Sequence, residues 1–260
     1  MPFADLSSHR LHYRVDGREH APWLTFCNSL GTDLHMWDPQ VDALAEHFRI
    51  LRYDRRGHGQ SDTPPGLYQV EQLGGDVLAL WDALGVERSH FCGLSIGGLT
   101  GQWLGLNAPE RLQRLVVCAT AAKIGSTDSW AQRIESVLRD GLTGLAEATV
   151  QRWFTPGFVA AHPLVIDEVV TCFLESSREG YAGCCNAVAH ADFRDTVRGI
   201  DVPLLAIAGD DDPVCPPHDL QYIVNEVANG HFVQVPGRHI CNLESPQAFN
   251  DALLGFLRAA

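Results

Sequence analysis

Residues Gly93-Leu94-Ser95-Ile96-Gly97 place one serine midway between two glycines. A β-like run, Ser89 to Cys92, precedes them and a helix-like run, Gly97 to Leu106, follows. A sharp strand-to-helix turn of this kind pushes the serine hydroxyl out over a parallel sheet. The turn is strained and crowded, so a Cβ at the glycine positions would clash. It also puts the Ile96 N–H at a helix N-terminus, where it can meet a developing negative charge. A serine hydroxyl is a weak nucleophile at neutral pH and needs an adjacent base, which in turn needs an orienting carboxylate. In strand-turn-helix sites the chain order is serine, acid, histidine. Downstream, Gly209-Asp210-Asp211-Asp212-Pro213 follows the strand-like run Leu204 to Ala208, and spacing alone does not choose among its three aspartates. Pro236-Gly237-Arg238-His239 follows the run Phe232 to Val235, and of twelve histidines His239 alone sits directly after the last strand. A second backbone donor for an oxyanion is expected in the loop Asn28-Ser29-Leu30-Gly31, with the Leu30 N–H as the candidate and Asn28 and Ser29 as loop supports.

The elements that must hold these groups alternate. Strand-like runs at Leu24–Cys27, Arg49–Tyr53, Phe91–Gly93, Leu115–Ala119, Leu204–Ala208 and Phe232–Val235 alternate with helical periodicities such as Leu73, Val77, Leu80 and Leu84. Continuous apolar strands are expected where a strand is buried on both faces. The alternation implies an α/β fold, a mostly parallel sheet flanked by helices. From about Lys123 to Ala189 the rhythm breaks into helical segments (Trp130 to Leu138, Gly144 to Phe154, Leu164 to Ser176) with no clear strand. The expected organisation is a core of residues 1–122 and 190–260 with an all-helical cap, 123–189, inserted between its two parts.

The chain has 260 residues and a net charge of −13, with Lys123 as its only lysine. No basic stripe is present to meet phosphates, which argues against nucleic-acid binding. The acidic field also repels anionic ligands at long range, so an acidic substrate needs a local cationic site. Arginines supply nearly all the cations and are the better bidentate carboxylate partners. Residues 1–10 lack a signal-peptide pattern and no apolar run approaches ~18 residues, so a cytoplasmic protein without a membrane segment is expected. The eight cysteines are scattered and read as reduced thiols, and no C-x-x-C or H-E-x-x-H suggests a metal. The oligomeric state is left open, a homo-oligomer included.

With these residues in hand, the chain resembles the α/β-hydrolase superfamily over nearly its whole length. Asp54-Arg55-Arg56-Gly57-His58-Gly59-Gln60-Ser61 is similar to that family's D-x-R-G-x-G-x-S segment. Gly209 through Asp212 to Pro216 is similar to its acid loop, which singles out Asp212, and His239 with Glu244 and Pro246 is similar to its histidine loop. Many members carry His-Gly where this chain has Asn28-Ser29. The segment Asn28 to Asp33 with Trp37, the elbow, and Ala122-Lys123-Ile124-Gly125, Trp130, Arg133 and Arg152-Trp153-Phe154-Thr155-Pro156 resemble one branch, the 3-oxoadipate enol-lactonases. The resemblance implies Ser95, Asp212 and His239 as catalytic residues, a small anionic lactone as substrate, and no metal or organic cofactor. Arg133, three residues after Trp130 and so on the same helical face, is the first candidate for the substrate carboxylate. Arg152 with Trp153 is the alternative, and Trp37 is expected either to line the pocket or to pack in the core. Rival readings on the same scaffold are a carboxylesterase, a C–C bond hydrolase, and a ligand-binding protein without catalysis.

Overall fold

Apolar runs without alternation can be satisfied only by strands covered on both faces, and the chain builds its sheet from them. The computed structural model describes residues 2–259. β3 (Trp23–Cys27), β4 (Arg49–Tyr53), β5 (Ser89–Leu94), β6 (Leu112–Cys118), β7 (Leu204–Gly209) and β8 (Gly230–Val235) are joined in parallel. β5 and β7 are buried at every position. Two further strands, β1 (Phe3–Asp5) and β2 (Arg10–Gly17), form an antiparallel extension that pairs onto β4. The strand order is β1-β2-β4-β3-β5-β6-β7-β8, so β3, β5 and β6 lie side by side at the centre and aim their C-terminal ends at one edge. Ligand sites of open α/β sheets form at that edge.

Helices cover the sheet. α1 (Asp38–Leu44), α2 (Val70–Ala83) and α3 (Ile96–Asn107) precede β6. Between β6 and β7 lie α4 (Thr127–Asp140), α5 (Ala146–Trp153), α6 (Pro156–Ala161), α7 (Pro163–Glu175) and α8 (Arg178–His190). α9 (Pro217–Glu226), α10 (Cys241–Glu244) and α11 (Pro246–Leu257) follow. α8 is buried from Gly180 to Ala189. A Cβ on Gly180 would lie 2.4 Å from the Gly57 Cα, and Gly57 itself has φ +74°, so this backbone-to-backbone approach requires glycine on both sides. Phe26, Trp37, Trp81 and Phe91 fill the core around the central strands. All eight cysteines are free thiols. Among the described residues no helix is long and apolar enough to cross a membrane.

Candidate active site

Ser95 sits between β5 and α3 with φ 59° and ψ −116°. A non-glycine residue held there stores on the order of 1–3 kcal/mol, which the surroundings must supply. Its N–H donates to Cys118 O at 2.9 Å, and its carbonyl accepts the Leu99 N–H and the Thr120 hydroxyl at 3.1 and 2.8 Å. The flanking glycines are obligatory. A Cβ on Gly93 would lie 2.1 Å from Gly97 O, and one on Gly97 2.2 Å from Cys27 O. Ile96 is the first residue of α3, so its N–H has no acceptor within the helix. The adjoining loop after β3 brings Leu30 to the wall of the cavity that Ser95 opens into.

The aspartate triplet divides its labour. Asp210 Oδ1 accepts the Gly237 N–H at 2.9 Å and Asp211 Oδ2 accepts from Arg238 Nε at 2.7 Å, so both brace the loop that carries His239. Asp212 Oδ1 accepts the N–H groups of Val214 and Cys215 at 2.7 and 3.1 Å. Its Oδ2 lies 2.9 Å from Nδ1 of His239, with both side chains buried. A carboxylate only accepts, so Nδ1 carries the proton and Nε2 is left as the basic atom. Glu244 ties this loop to the start of α6, since its carboxylate accepts the Arg238 N–H at 2.9 Å and the Thr155 N–H at 3.1 Å.

Ser95 and His239 open into a cavity of about 300 Å³ that is also lined by Trp130, Arg133, Arg152 and Trp153. Trp130 is fixed by its indole N–H, which donates to Ile124 O at 2.8 Å. The Arg133 guanidinium stands over the Trp130 ring, 5.5 Å from its centroid, and Nη1 donates to Tyr181 OH at 3.1 Å. Burial, with Arg133 as a like-charged neighbour, pulls Arg152 below its ordinary value. The cavity wall includes no Asp or Glu. The chamber therefore combines a hydroxyl, an imidazole aligned by a carboxylate, and two arginines beside no acidic lining residue. That combination suits acyl transfer on a small anion.

The family model described as alpha/beta hydrolase fold matches residues 22–160. The chain belongs to the alpha/beta hydrolase fold family. This hydrolase chain is 43% identical, over 94% of its length and 91% of the relative's, to 3-oxoadipate enol-lactonase 2 of Acinetobacter baylyi. Among solved structures it is similar to the enol-lactonase from Burkholderia xenovorans LB400, with a TM-score of 0.97 and 43% identity covering 99% of this chain and 100% of that one. It is also similar to a malate-bound thermophilic esterase from Thermogutta terrifontis, with a TM-score of 0.91 and 26% identity covering 96% and 93%.

Of the residues singled out in the sequence, Ser95, His239, Leu30, Trp130, Arg133, Arg152 and Trp153 share one cavity wall, and Asp212 stands behind His239. Trp37 does not reach it. Trp37 is fully buried in this hydrolase, stacked 4.5 Å from the Phe26 ring and packed near Phe249. Its indole N–H donates to Asn28 Oδ1 at 3.0 Å, so it supports the Leu30 loop from behind rather than meeting a ligand. Ser29, expected as a loop support, also lines the cavity, whereas Ser129, Thr149 and Tyr181 are not singled out by the sequence. Ser129 and Thr149 are common helix and loop residues, and Tyr181 lies in a Gly/Cys-rich stretch with weak helical periodicity.

Proposed function

We propose that this alpha/beta hydrolase opens 3-oxoadipate enol-lactone to 3-oxoadipate. The observation that carries the reading is the pair Arg133 and Arg152 in a chamber without acidic lining, facing Ser95 and His239. In this reading Ser95 Oγ attacks the lactone carbonyl while His239 Nε2 takes its proton. Asp212 holds the imidazole and stabilises the imidazolium that forms. The N–H groups of Leu30 and Ile96 bind the oxyanion, each worth about 3–4 kcal/mol in comparable sites. The ring C–O bond breaks to release an enolate, a better leaving group than an alkoxide, which takes the proton from His239 Nε2 and becomes the enol and then the ketone, leaving His239 neutral. Water, deprotonated by His239, then clears the acyl group from Ser95 as the second carboxylate. Arg133, backed by Arg152, holds the carboxylate already present, and Trp130 lies along the ring. The 43% identity to an enol-lactonase along nearly the whole chain supports this substrate.

The test follows loss of the lactone's ultraviolet absorbance in the wild type and in Ser95→Ala, with p-nitrophenyl acetate as a neutral comparison. Lactone turnover with kcat/KM far above that for the ester, and a loss of several orders of magnitude in Ser95→Ala, is expected. Turnover of the ester but not of the lactone would reject the substrate and bring forward a carboxylesterase.

A further inference from the structure

Three arginines stand close together in the sequence at the end of β4: Arg52, Arg55 and Arg56. Arg52 pairs with Asp16 at 2.7 Å, and Arg56 clamps Asp76 through two bonds of 2.6 Å. Arg55 is different. It is 2% exposed, and its partners among the described residues are the Asn28 carbonyl and, at 3.4 Å, the Cys27 sulfur. Its Nε and Nη1 are buried without a hydrogen-bond partner. A buried cation without a carboxylate is costly, and an arginine does not escape by deprotonating. A chain that keeps such a group at one place invites the question of which negative charge it faces.

The answer lies in the loop it touches. Each peptide unit from Asn28 to Gly31 is fixed by a separate contact. Arg55 Nη2 donates to Asn28 O. The Thr32 hydroxyl donates to Ser29 O at 3.0 Å. The Gly31 N–H donates to His58 Nε2 at 2.9 Å. A trans peptide points its C=O and N–H in opposite directions. Holding Ser29 O against Thr32 therefore turns the Leu30 N–H the other way, and Leu30 is on the cavity wall. His58 can accept from Gly31 only while neutral, and burial together with Arg55 holds its pKa down at about 3. Arg55 thus acts on the loop twice, by its hydrogen bond and through His58.

We propose that Arg55 is a positioning residue for the oxyanion site: it anchors the Asn28 carbonyl so that the Leu30 N–H is aimed at the cavity, and its uncompensated guanidinium places a permanent positive charge behind the oxyanion. The proposal rests on reading Ser95 as the nucleophile and Leu30 as a donor. Among the described residues no carboxylate pairs with Arg55 in the resting protein. When Ser95 Oγ bonds to a carbonyl carbon and the carbonyl electron pair moves onto oxygen, a negative charge appears on the far side of the loop. A charge whose counterpart exists only in the transition state raises kcat rather than ground-state affinity.

The experiment compares wild type, Arg55→Met and Arg55→Lys. Two ligands report the two states. 6,6,6-Trifluoro-5-oxohexanoate adds to the serine and forms a tetrahedral oxyanion, with the serine proton passing to the histidine. Adipate binds without forming one. Arg55→Met is expected to lower kcat about 10- to 100-fold, to weaken the trifluoromethyl ketone by a similar factor, and to leave KM and adipate affinity within about threefold. Its Tm is expected to stay level or rise, because a buried cation has been replaced by a side chain of similar volume. In Arg55→Lys the charge is kept but becomes titratable, so kcat gains a downward limb as the pH rises through the ammonium's ionisation, a limb the wild type lacks. This second variant keeps the test open if Arg55→Met does not fold. The proposal is overturned if Arg55→Met keeps kcat within threefold, if adipate weakens as much as the ketone, or if Arg55→Lys shows no such limb. Ester turnover surviving in Ser95→Ala would instead remove the reading of the site on which the proposal stands.

Discussion

Asp212→Asn isolates the task assigned to the acid. The structure fixes how the amide must sit. Two backbone donors, the N–H groups of Val214 and Cys215, converge on Oδ1 at 2.7 and 3.1 Å. Only oxygen can take that position, so the amide NH₂ is forced into the place of Oδ2, 2.9 Å from His239 Nδ1. There it donates, and Nδ1 must accept. The imidazole proton moves to Nε2, the atom that has to receive the proton of Ser95, and the base is lost while the packing is kept. The loss of the aligned carboxylate in comparable triads costs about 10⁴ in kcat, or about 5 kcal/mol in the barrier. Both backbone donors stay paired, so a Tm change within a few degrees is expected. Burst kinetics with p-nitrophenyl acetate measure the acylation step, and ¹⁵N NMR of the imidazole reads the tautomer. A kcat within tenfold of wild type, or a proton still on Nδ1 in the variant, would refute the reasoning.

Two other consequences can be measured directly. Arg133→Met removes a guanidinium braced by Tyr181 and Trp130, and hydrogen bonds to charged groups contribute about 1.5–3 kcal/mol. kcat/KM for the acidic lactone is therefore expected to fall about 10- to 100-fold, mostly through KM, while the neutral ester changes by less than about threefold; equal losses on both substrates would reject the carboxylate role. Burial holds His58 at about 3 and His90 at about 4. Both folded values lie below the unfolded value of about 6.5, so the stability each contributes is present above pH 6.5 and is lost as the pH falls towards those values. By pH 5 each has lost about 2 kcal/mol relative to pH 7.5. Urea unfolding of His90→Gln should show a loss between those pH values about 2 kcal/mol smaller than in the wild type, and equal losses would be evidence against a buried neutral His90.

What could be read from the sequence followed from which interactions are local. The strands at the middle of the sheet carry apolar stretches such as Leu115 to Cys118 and Leu204 to Ala208, buried at every position and visible in the sequence. β1 and β2 are not, because Arg10-Leu11-His12-Tyr13-Arg14-Val15-Asp16-Gly17 mixes charge with apolar residues. It becomes a strand by pairing with β4, with Tyr13 opposite Tyr53 and Val15 opposite Leu51. α8 escaped for a related reason. Its Gly180, Gly183 and Cys184-Cys185 are chosen for close approach to the core beneath, and helices of that kind carry little amphipathic signal.

The same distinction separates the parts of the site. Ser95 and His239 stood out because each follows a strand in a turn of defined composition, a pattern written in neighbouring residues. Composition could not rank Asp210, Asp211 and Asp212, since all three suit a turn, and only the resemblance to an acid loop singled out Asp212. Their physical division comes from Gly237, Arg238 and His239, which arrive from 27 residues downstream and take one each. Trp37 was undecidable in the sequence because a pocket wall and a core both use tryptophan; the Asn28 side chain decides it by accepting the indole proton. Arg55 lies at the far end of this scale. What marks it is a carboxylate that is not there, beside two arginines that have one. No pattern in a sequence records a missing partner. A group whose meaning is an unbalanced charge becomes visible only when every neighbour has been placed, and its role in the reaction follows from asking when the balancing charge appears.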